Sequence, residues 1–293
     1  MKEMVVISGK GGTGKTSVLA SFAALAENAV VVDCDVDAAD LHLLLAPTIE
    51  RREEFRSGRQ AVIHERECTG CGACLELCRF DAIERGPAAG GATFAVDPAA
   101  CEGCGVCVRY CPANAIGFPE RSCGEWYVSR TRFGPMVHAR LGIASESSGK
   151  LVSIVRGEAR RIAEERGSDW VLADGPPGIG CPVIASVTGA TLVLAVAEPT
   201  SSGGHDLARV LELARHFEIP SAVCVNKWDL NPEMTERIER DSAAAGARVL
   251  QRVPYDRGVT AAQIQGESVV ENGVCPAADS MRKLWENICG MIK

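Results

Sequence analysis

Two stretches of the chain carry residue types at spacings that do chemistry. Gly9 to Thr16 reads Gly-Lys-Gly-Gly-Thr-Gly-Lys-Thr, which satisfies G-x4-G-K-[ST] in full. Such a loop turns successive backbone N–H groups toward phosphate oxygens, its second lysine, Lys15, reaches the β- and γ-phosphates, and the Thr16 hydroxyl takes Mg2+. An apolar run precedes it and a helical pattern follows, so the helix dipole adds to the attraction. The second stretch holds eight of the 14 cysteines within the 44 residues from Cys68 to Cys111. Cys68, Cys71, Cys74 and Cys78 are spaced C-x2-C-x2-C-x3-C, and Cys101, Cys104, Cys107 and Cys111 repeat the spacing 33 residues later, with eight of sixteen positions identical. That spacing lets three thiolates of a tight loop and a fourth beyond it hold cubane iron–sulfur clusters. Zinc sites also use C-x2-C pairs, but a duplicated run of four is unusual for them.

The elements needed to hold these stretches are legible in outline. Apolar β-branched runs at Met4–Ile7, Val30–Val32, Trp170–Ala173, Leu192–Val196, Ala222–Val225 and Val249–Val253 predict buried parallel strands. Helical spacing over Ser17–Glu27, Leu151–Arg166, Gly204–Phe217 and Glu233–Ala245 alternates with them. The alternation predicts a doubly wound, mostly parallel α/β domain. The pattern breaks around the cysteines, so residues 1–63 and 118–293 are expected to form one domain interrupted by an insertion over 64–117. The tail from Met281 has apolar residues at helical spacing and a thin basic face, which predicts a last helix packed on the sheet rather than lying on a membrane.

Composition narrows the function classes. The 293 residues include 38 acids against 31 Lys plus Arg, a formal charge of −7, and only 5% aromatics. Neither nucleic acid nor a base-stacking surface is expected. The opening residues do not form a secretory signal, and no apolar run approaches the roughly 20 residues of a membrane span. Clustered cysteines then point to metal or redox chemistry in a reducing compartment, the cytoplasm.

With Lys10, the loop becomes K-G-G-x-G-K-[ST] and resembles the deviant Walker A of the MinD/ParA/Mrp ATPases and the nitrogenase iron protein, P-loop NTPases of the SIMIBI class. The resemblance covers about 239 residues outside the insertion. It implies that Gly9, Lys10, Gly11, Gly12, Thr13, Gly14, Lys15, Thr16 and Ser17 bind ATP. It also implies that Lys10 crosses to a partner's nucleotide in a homodimer, or in a heterodimer with a similar subunit. Val31–Asp37 resembles switch I, with Asp35 orienting water or the Mg2+ shell, and Val171–Gly178 resembles Walker B entering switch II, with Asp174 on Mg2+ through water. Lys10, Lys15, Asp35 and Asp174 are the expected catalytic set, and Thr16, Asp35 and Asp174 the expected Mg2+ set.

The insertion resembles two-cluster, bacterial-type α+β ferredoxins. The resemblance assigns Cys68, Cys71, Cys74 and Cys111 to one [4Fe-4S] cluster, and Cys101, Cys104, Cys107 and Cys78 to the second. Pro112 fits that pattern and Arg79 departs from it. The whole then resembles MinD-superfamily ATPases carrying an inserted ferredoxin domain, a subgroup in which the stretch from Arg132-Phe133-Gly134-Pro135 to Leu151 also looks typical. The expected function is a homodimeric ATPase whose nucleotide state is coupled to electron transfer, with a redox or iron–sulfur partner. The other readings are an iron–sulfur carrier or scaffold, a GTP-using switch, or a MinD-like switch that recruits a partner.

Two features stay open at this level. Asn226-Lys227-Trp228-Asp229 matches the N-K-x-D that reads guanine, whereas in MinD-like ATPases the Asn contacts adenine; ATP is the expected nucleotide, with Asn226, Lys227 and Asp229 as base-side candidates. Cys181 lies seven residues beyond Asp174, the offset of a cluster ligand shared between subunits in the nitrogenase iron protein. A third cluster would need a second cysteine, for which Cys123 is the loose candidate, and a buried or switch-supporting Cys181 is expected instead.

Overall fold

A computed structural model describes residues 1–86, 93–142 and 148–292. In chain order its elements are β1 (Lys2–Ser8), α1 (Lys15–Leu25), β2 (Ala29–Asp33), α2 (Leu41–Leu45), β3 (Thr48–Arg59), β4 (Val62–Ile63), α3 (Ala73–Leu77), β5 (Ile83–Arg85), β6 (Phe94–Val96), α4 (Val106–Arg109) and β7 (Ile116–Gly117). There follow β8 (Glu120–Thr131), β9 (Gly134–Leu141), α5 (Ser148–Arg166), β10 (Trp170–Pro177), α6 (Cys181–Val187), β11 (Leu192–Ala197), α7 (Ser201–His216), β12 (Ser221–Asn226), a 3-10 turn (Trp228–Leu230), α8 (Pro232–Ala244), β13 (Arg248–Val253), α9 (Arg257–Ile264) and α10 (Pro276–Met291).

The chain divides into two compact units. The larger comprises Met1–Glu53, Glu125–Leu141 and the chain from α5 onward; the smaller is chiefly Glu54–Gly124. The sheet runs in the order β13-β12-β11-β1-β10-β2-β9-β8-β3. Every pairing from β13 to β9 is parallel. Strands buried on both faces need continuous apolar runs, which is what β1, β2, β10, β11 and β12 supply. All six strands expected from sequence are present. So are the four expected helices, α1, α5, α7 and α8, within a few residues at their ends.

The chain adds β9 beside β2, in register at Val31 with Met136 and Val32 with Val137. A turn of only Arg132 and Phe133 joins β8 to β9. The Thr131 hydroxyl builds that turn by donating to the Gly134 carbonyl at 2.9 Å and accepting from the Phe133 amide at 3.1 Å. Gly134 is required there: its φ is +128° and a Cβ would stand 2.8 Å from the Ala29 carbonyl oxygen.

Because β1 lies between β10 and β11, the strand order reverses at β1, and in parallel α/β sheets such a reversal opens a crevice at the carboxyl ends. Helix α1, which leaves that crevice, has all residues from Ser17 to Ala23 buried. Helix α10 closes one side of the same core through Met281, Leu284 and Ile288, as the tail pattern indicated. The Trp285 ring centroid lies 5.2 Å from that of Phe22 and 5.1 Å from that of Trp170. Among the described residues no helix is long and apolar enough to cross a membrane.

The smaller unit pairs β4 with β7 and β5 with β6, both antiparallel. Its core gathers Ala61, Cys74, Ile83, Phe94 and Ile116.

One buried titratable group lies in the β8–β9 hairpin. His138 is 8% exposed, its Nε2 is 2.8 Å from the Ser129 hydroxyl, and its ring packs on Tyr127 with centroids 5.0 Å apart. Burial, with a smaller contribution from His42, lowers its pKa to about 4. A histidine depressed in the folded state contributes stability above its unfolded pKa, about 6.5, and loses it as pH falls toward 4. Unfolding free energy is therefore expected to drop by up to about 3 kcal/mol between pH 6.5 and 4, at 1.36 kcal/mol per pKa unit. Denaturant titrations at several pH values should show that slope in the wild type and lose most of it in His138→Gln.

Candidate nucleotide site

The crevice collects the carboxyl ends of β1, β2, β10, β11, β12 and β13. From β1 the chain enters Gly9–Gly14, where Gly12 and Gly14 have φ of +79° and +91°. Two of these glycines are fixed by close packing. A Cβ on Gly9 would lie 2.2 Å from Asp206 Cβ and within 3 Å of the Asp206 backbone on α7. A Cβ on Gly14 would lie 2.4 Å from Asn226 Nδ2.

Lys15 opens α1 and is buried, its Nζ 3.2 Å from Asp35 Oδ2. An ammonium removed from water needs a counter-charge, and Asp35 supplies it. The Thr16 hydroxyl donates to Asp174 Oδ2 at 2.7 Å. Asp174 Oδ1 and the Thr13 hydroxyl are buried without a hydrogen-bond partner among the described residues. Burial pushes the Asp174 pKa up to about 6, opposed by Lys15 and by the Thr16 hydrogen bond. Asp35 is raised by burial and partly restored by Lys15. Asp33, fully buried, is raised well above the usual range by burial and then by the charge of Asp174. Its carboxylate accepts the Asp35 amide at 3.1 Å and the Leu41 amide at 3.4 Å, tying the loop after β2 to the start of α2.

A cavity of about 510 Å3 opens here, lined by the loop glycines, Lys15, Thr16, Asp35, Leu43, Leu44 and Gln263. A second, of about 210 Å3, adjoins Gly12, Gly14 and Ser17 and is walled by Asn226, Lys227, Tyr255, Val259, Gln263 and Met281. Cradled amides, a buried lysine, a threonine hydroxyl and an orphaned carboxylate oxygen are the donors and acceptors that a nucleoside triphosphate and Mg2+ require.

The structure brings Gly9 through Ser17, Asp35, Asp174, Asn226 and Lys227 together. Asn226 Nδ2 donates to the Thr13 carbonyl at 2.8 Å, so its amide clamps the loop. Asp229 lies in the 3-10 turn, where its Oδ1 accepts the Tyr255 amide at 2.7 Å. It does not line the second cavity. Lys10 is held within its own chain: Nζ lies 3.1 Å from the Thr200 hydroxyl, 3.4 Å from that of Ser202 and 3.8 Å from Glu198. Glu198 also pairs with Lys227. Within the single chain these contacts hold Lys10 at the start of α7.

Glu198, Gln263 and Tyr255 went unread in the sequence. Glu198 directly follows an apolar strand and was open to the strand-end argument. Gln263, whose Nε2 donates to the Ser17 hydroxyl at 2.8 Å, lies 246 residues away and carries no local signal.

The cysteine expectations are corrected. Cys68, Cys71, Cys74 and Cys111 line one small space, and Cys78, Cys101, Cys104 and Cys107 another. Each space is about 20 Å3, the scale of one water molecule. Among the described residues no group of three or more His, Cys, Asp or Glu side chains is arranged to hold a metal ion. Burial raises the Cys74 and Cys107 pKa values, which disfavours the thiolates that metals bind. The two [4Fe-4S] clusters, the ferredoxin identity of the insertion, and electron transfer as an activity are overturned by this arrangement. Cys181 is exposed at the start of α6 rather than buried, and Cys123 is buried with its thiol donating to the Ser57 carbonyl at 3.1 Å. Among the described residues neither belongs to a group of three or more potential metal ligands within the chain. Cys34 and Cys224 are fully buried, as expected of small hydrophobes, and burial pushes the Cys224 thiol up to about 12.

A family model described as the CobQ/CobB/MinD/ParA nucleotide binding domain matches residues 4–269. The chain is 34% identical over 232 residues to uncharacterized protein MJ0578 of Methanocaldococcus jannaschii, covering 78% of this chain and 79% of that protein. Among solved structures it is similar to the cell division ATPase MinD of Pyrococcus furiosus, with a TM-score of 0.58 and 18% identity over 99% of both chains. It is also similar to the septum site-determining protein MinD of Pyrococcus horikoshii complexed with Mg-ADP, with a TM-score of 0.57 and 17% identity over 100% of this chain and 98% of that one. At these identities the structural likeness is one of fold.

The packing at Gly9 gives a direct test. Gly9→Ala is expected to cost at least about 3 kcal/mol of unfolding free energy, the upper range for overpacking, because backbone as well as side chain of α7 stands in the way. Gly11→Ala, where nothing lies within 4 Å of the new Cβ, is expected to leave the denaturation midpoint unchanged.

Proposed function

The chain belongs to the CobQ/CobB/MinD/ParA nucleotide-binding family, and on that premise we propose that it is a Mg2+-dependent ATPase of the cytoplasm that pairs with a second copy of itself and switches a protein partner by its nucleotide state. The observation that carries this reading is the buried Lys15, set between the loop glycines and Asp35, beside a Thr16–Asp174 pair with one carboxylate oxygen unpartnered.

In this reading the amides of Gly11 to Thr16 and the Lys15 ammonium hold the phosphates. Lys15 exchanges Asp35 for phosphate oxygens, and the released Asp35 carboxylate orients a water toward the γ-phosphorus. Attack forms the new P–O bond and breaks the bond to the β-phosphate bridge oxygen, leaving ADP and phosphate. Mg2+, when bound, neutralises phosphate charge; Thr16 and Asp174 are the residues that would hold it. Asn226 keeps the loop in register through Thr13, and Lys227 walls the adjoining base-side cavity.

ATP is favoured over GTP because Asp229, whose Oδ1 accepts the Tyr255 amide, does not line the base-side cavity. Lys10 is the proposed link between copies. Its ammonium stands at the N-terminal end of α7, the positive end of the helix dipole, and stays there through Glu198, Thr200 and Ser202. A partner's phosphates offer it a stronger counter-charge.

Sedimentation with Mg-ATP and a turnover assay test the proposal. The wild type is expected to dimerise and hydrolyse ATP, and excess GTP to compete poorly. Lys15→Ala should lose on the order of 100-fold or more in kcat/KM, the scale of removing an electrostatic stabiliser of the transferring group. Lys10→Ala should bind nucleotide within about threefold of wild type, under 0.7 kcal/mol, and remain monomeric. A wild type that binds neither nucleotide overturns the reading, and tighter GTP binding overturns the base assignment.

A further inference from the structure

Arg132-Phe133-Gly134 stands out in the sequence with no role in the chemistry above. The structure explains Phe133 and Gly134 as the packing of a tight turn. Arg132 does more. Its Nε donates to Glu271 Oε1 at 2.7 Å and its Nη2 to Glu271 Oε2 at 2.9 Å, a forked charged pair. The same Nη2 donates to the Leu44 carbonyl at 2.8 Å and lies 3.2 Å from the Gly266 carbonyl. The guanidinium is steadied over the Phe133 ring at 4.6 Å.

Those two carbonyls belong to two neighbouring walls of the nucleotide cleft. Leu44 is on α2, which follows the Asp33–Asp40 loop, and Leu43 and Leu44 line the larger cavity. Gly266 ends the turn after α9, and Gln263 of α9 lines both cavities while donating to Ser17 at the start of α1. Carbonyls near a helix C-terminus lack intrahelical donors and carry the negative end of the helix dipole, so a guanidinium placed there satisfies both ends at once. Glu271 is itself oriented by the Ser268 amide at 2.8 Å and hydroxyl at 2.7 Å, which fixes the fork. The walls are also in contact range, since a Cβ on Gly266 would lie 3.3 Å from the Leu43 carbonyl.

We infer that Arg132 is a positioning residue, a strap by which the β8–β9 turn holds α2, on the phosphate side, to the end of α9, on the base side, so that nucleotide affinity depends on a hairpin that never touches nucleotide. The inference rests on the nucleotide-binding reading only for its effect on affinity; the strap itself is a property of the free protein. Thr131, Phe133 and Gly134 set the turn so that the Arg132 fork faces the cleft rim. A lysine at 132 would keep the charge but cannot fork Glu271 while reaching two carbonyls.

The test is amide hydrogen exchange on the full nucleotide-free chain, followed by Mg-ADP titration and ATP turnover, for wild type, Arg132→Lys and Arg132→Gln. In Arg132→Gln the amides of Ala46, at the end of α2, and of Gly266 and Glu267, after α9, are expected to exchange faster together, by about tenfold or more, the factor for losing 1.4 kcal/mol. Mg-ADP binding should weaken by a similar factor while kcat at saturating ATP stays within about threefold, with Arg132→Lys intermediate. Unchanged exchange at these amides, or faster exchange on one side alone, overturns the strap. Joint acceleration with unchanged Mg-ADP affinity overturns its link to nucleotide. If Arg132→Gln does not fold, Glu271→Gln replaces it and should show the same joint acceleration to a smaller degree; no change there overturns the strap equally. A wild type that does not bind Mg-ADP sinks the nucleotide reading and leaves the exchange result standing.

Discussion

The buried ammonium of Lys15 is the group on which the rest of the site depends. It pairs with Asp35 and its charge also acts on Asp174, while Asp33 lies in turn against Asp174 and Asp35; all three carboxylates are buried and have raised pKa values. One cation does not neutralise three anions in a medium that penalises each charge, so the site is electrostatically unsettled without further cations. Among the described residues, Asp174 keeps an oxygen without a hydrogen-bond partner, and Asp35 has Lys15 as its counter-ion. A phosphate chain bound with a divalent cation would relieve both conditions at once: Asp174 and Thr16 would hold the cation and Lys15 would pair with phosphate. The fold contributes by bringing the carboxyl ends of β1, β2 and β10 side by side, with Val6 opposite Asp174 and Asp174 opposite Asp33 in the strand registers.

A second charge arrangement surrounds the first. Glu198, at the end of β11, holds both Lys10 and Lys227. It places one carboxylate against two lysines of the phosphate and base sides. Arg132 and Glu271 secure the opposite rim. The cleft is thus framed by ion pairs formed by loop residues while its floor is made of strands, a division that leaves the rim adjustable and the floor fixed.

Much of this was legible in the chain. The parallel strands announced themselves because strands covered on both faces must be continuously apolar, and the loop from Gly9 to Thr16 because phosphate recognition by backbone amides needs glycines at set places. What escaped had weak local signals. β3 reads Thr-Ile-Glu-Arg-Arg-Glu-Glu-Phe-Arg-Ser-Gly-Arg, charged nearly throughout, and only Phe55 in it is buried. In β8 the buried positions include Cys123, Tyr127, Ser129 and Thr131, an alternation carried mostly by polar side chains. The role of Gln263 was invisible because its partner Ser17 is 246 residues distant, and the Arg132 stretch stood out without showing its partners, which lie 88 to 139 residues away. The cysteine runs mark the opposite failure. A strong spacing signal fixed expectation on two clusters, yet the described side chains form no metal-holding group and the spaces beside the thiols are about 20 Å3 each.

The most direct measurement of the central claim is calorimetric titration of Mg-ATP into the full chain at pH 6 and pH 8, each in two buffers of different ionisation enthalpy. Because burial raises the pKa values of Asp174 and Asp35 in the free protein, binding of Mg-ATP to the ionised carboxylates should release more protons per site at pH 6 than at pH 8. Binding at both pH values with that difference is the expected result. Absence of binding, or binding with no buffer dependence at pH 6, would contradict the assignment of Lys15, Thr16 and Asp174 as the centre of a Mg-nucleotide site.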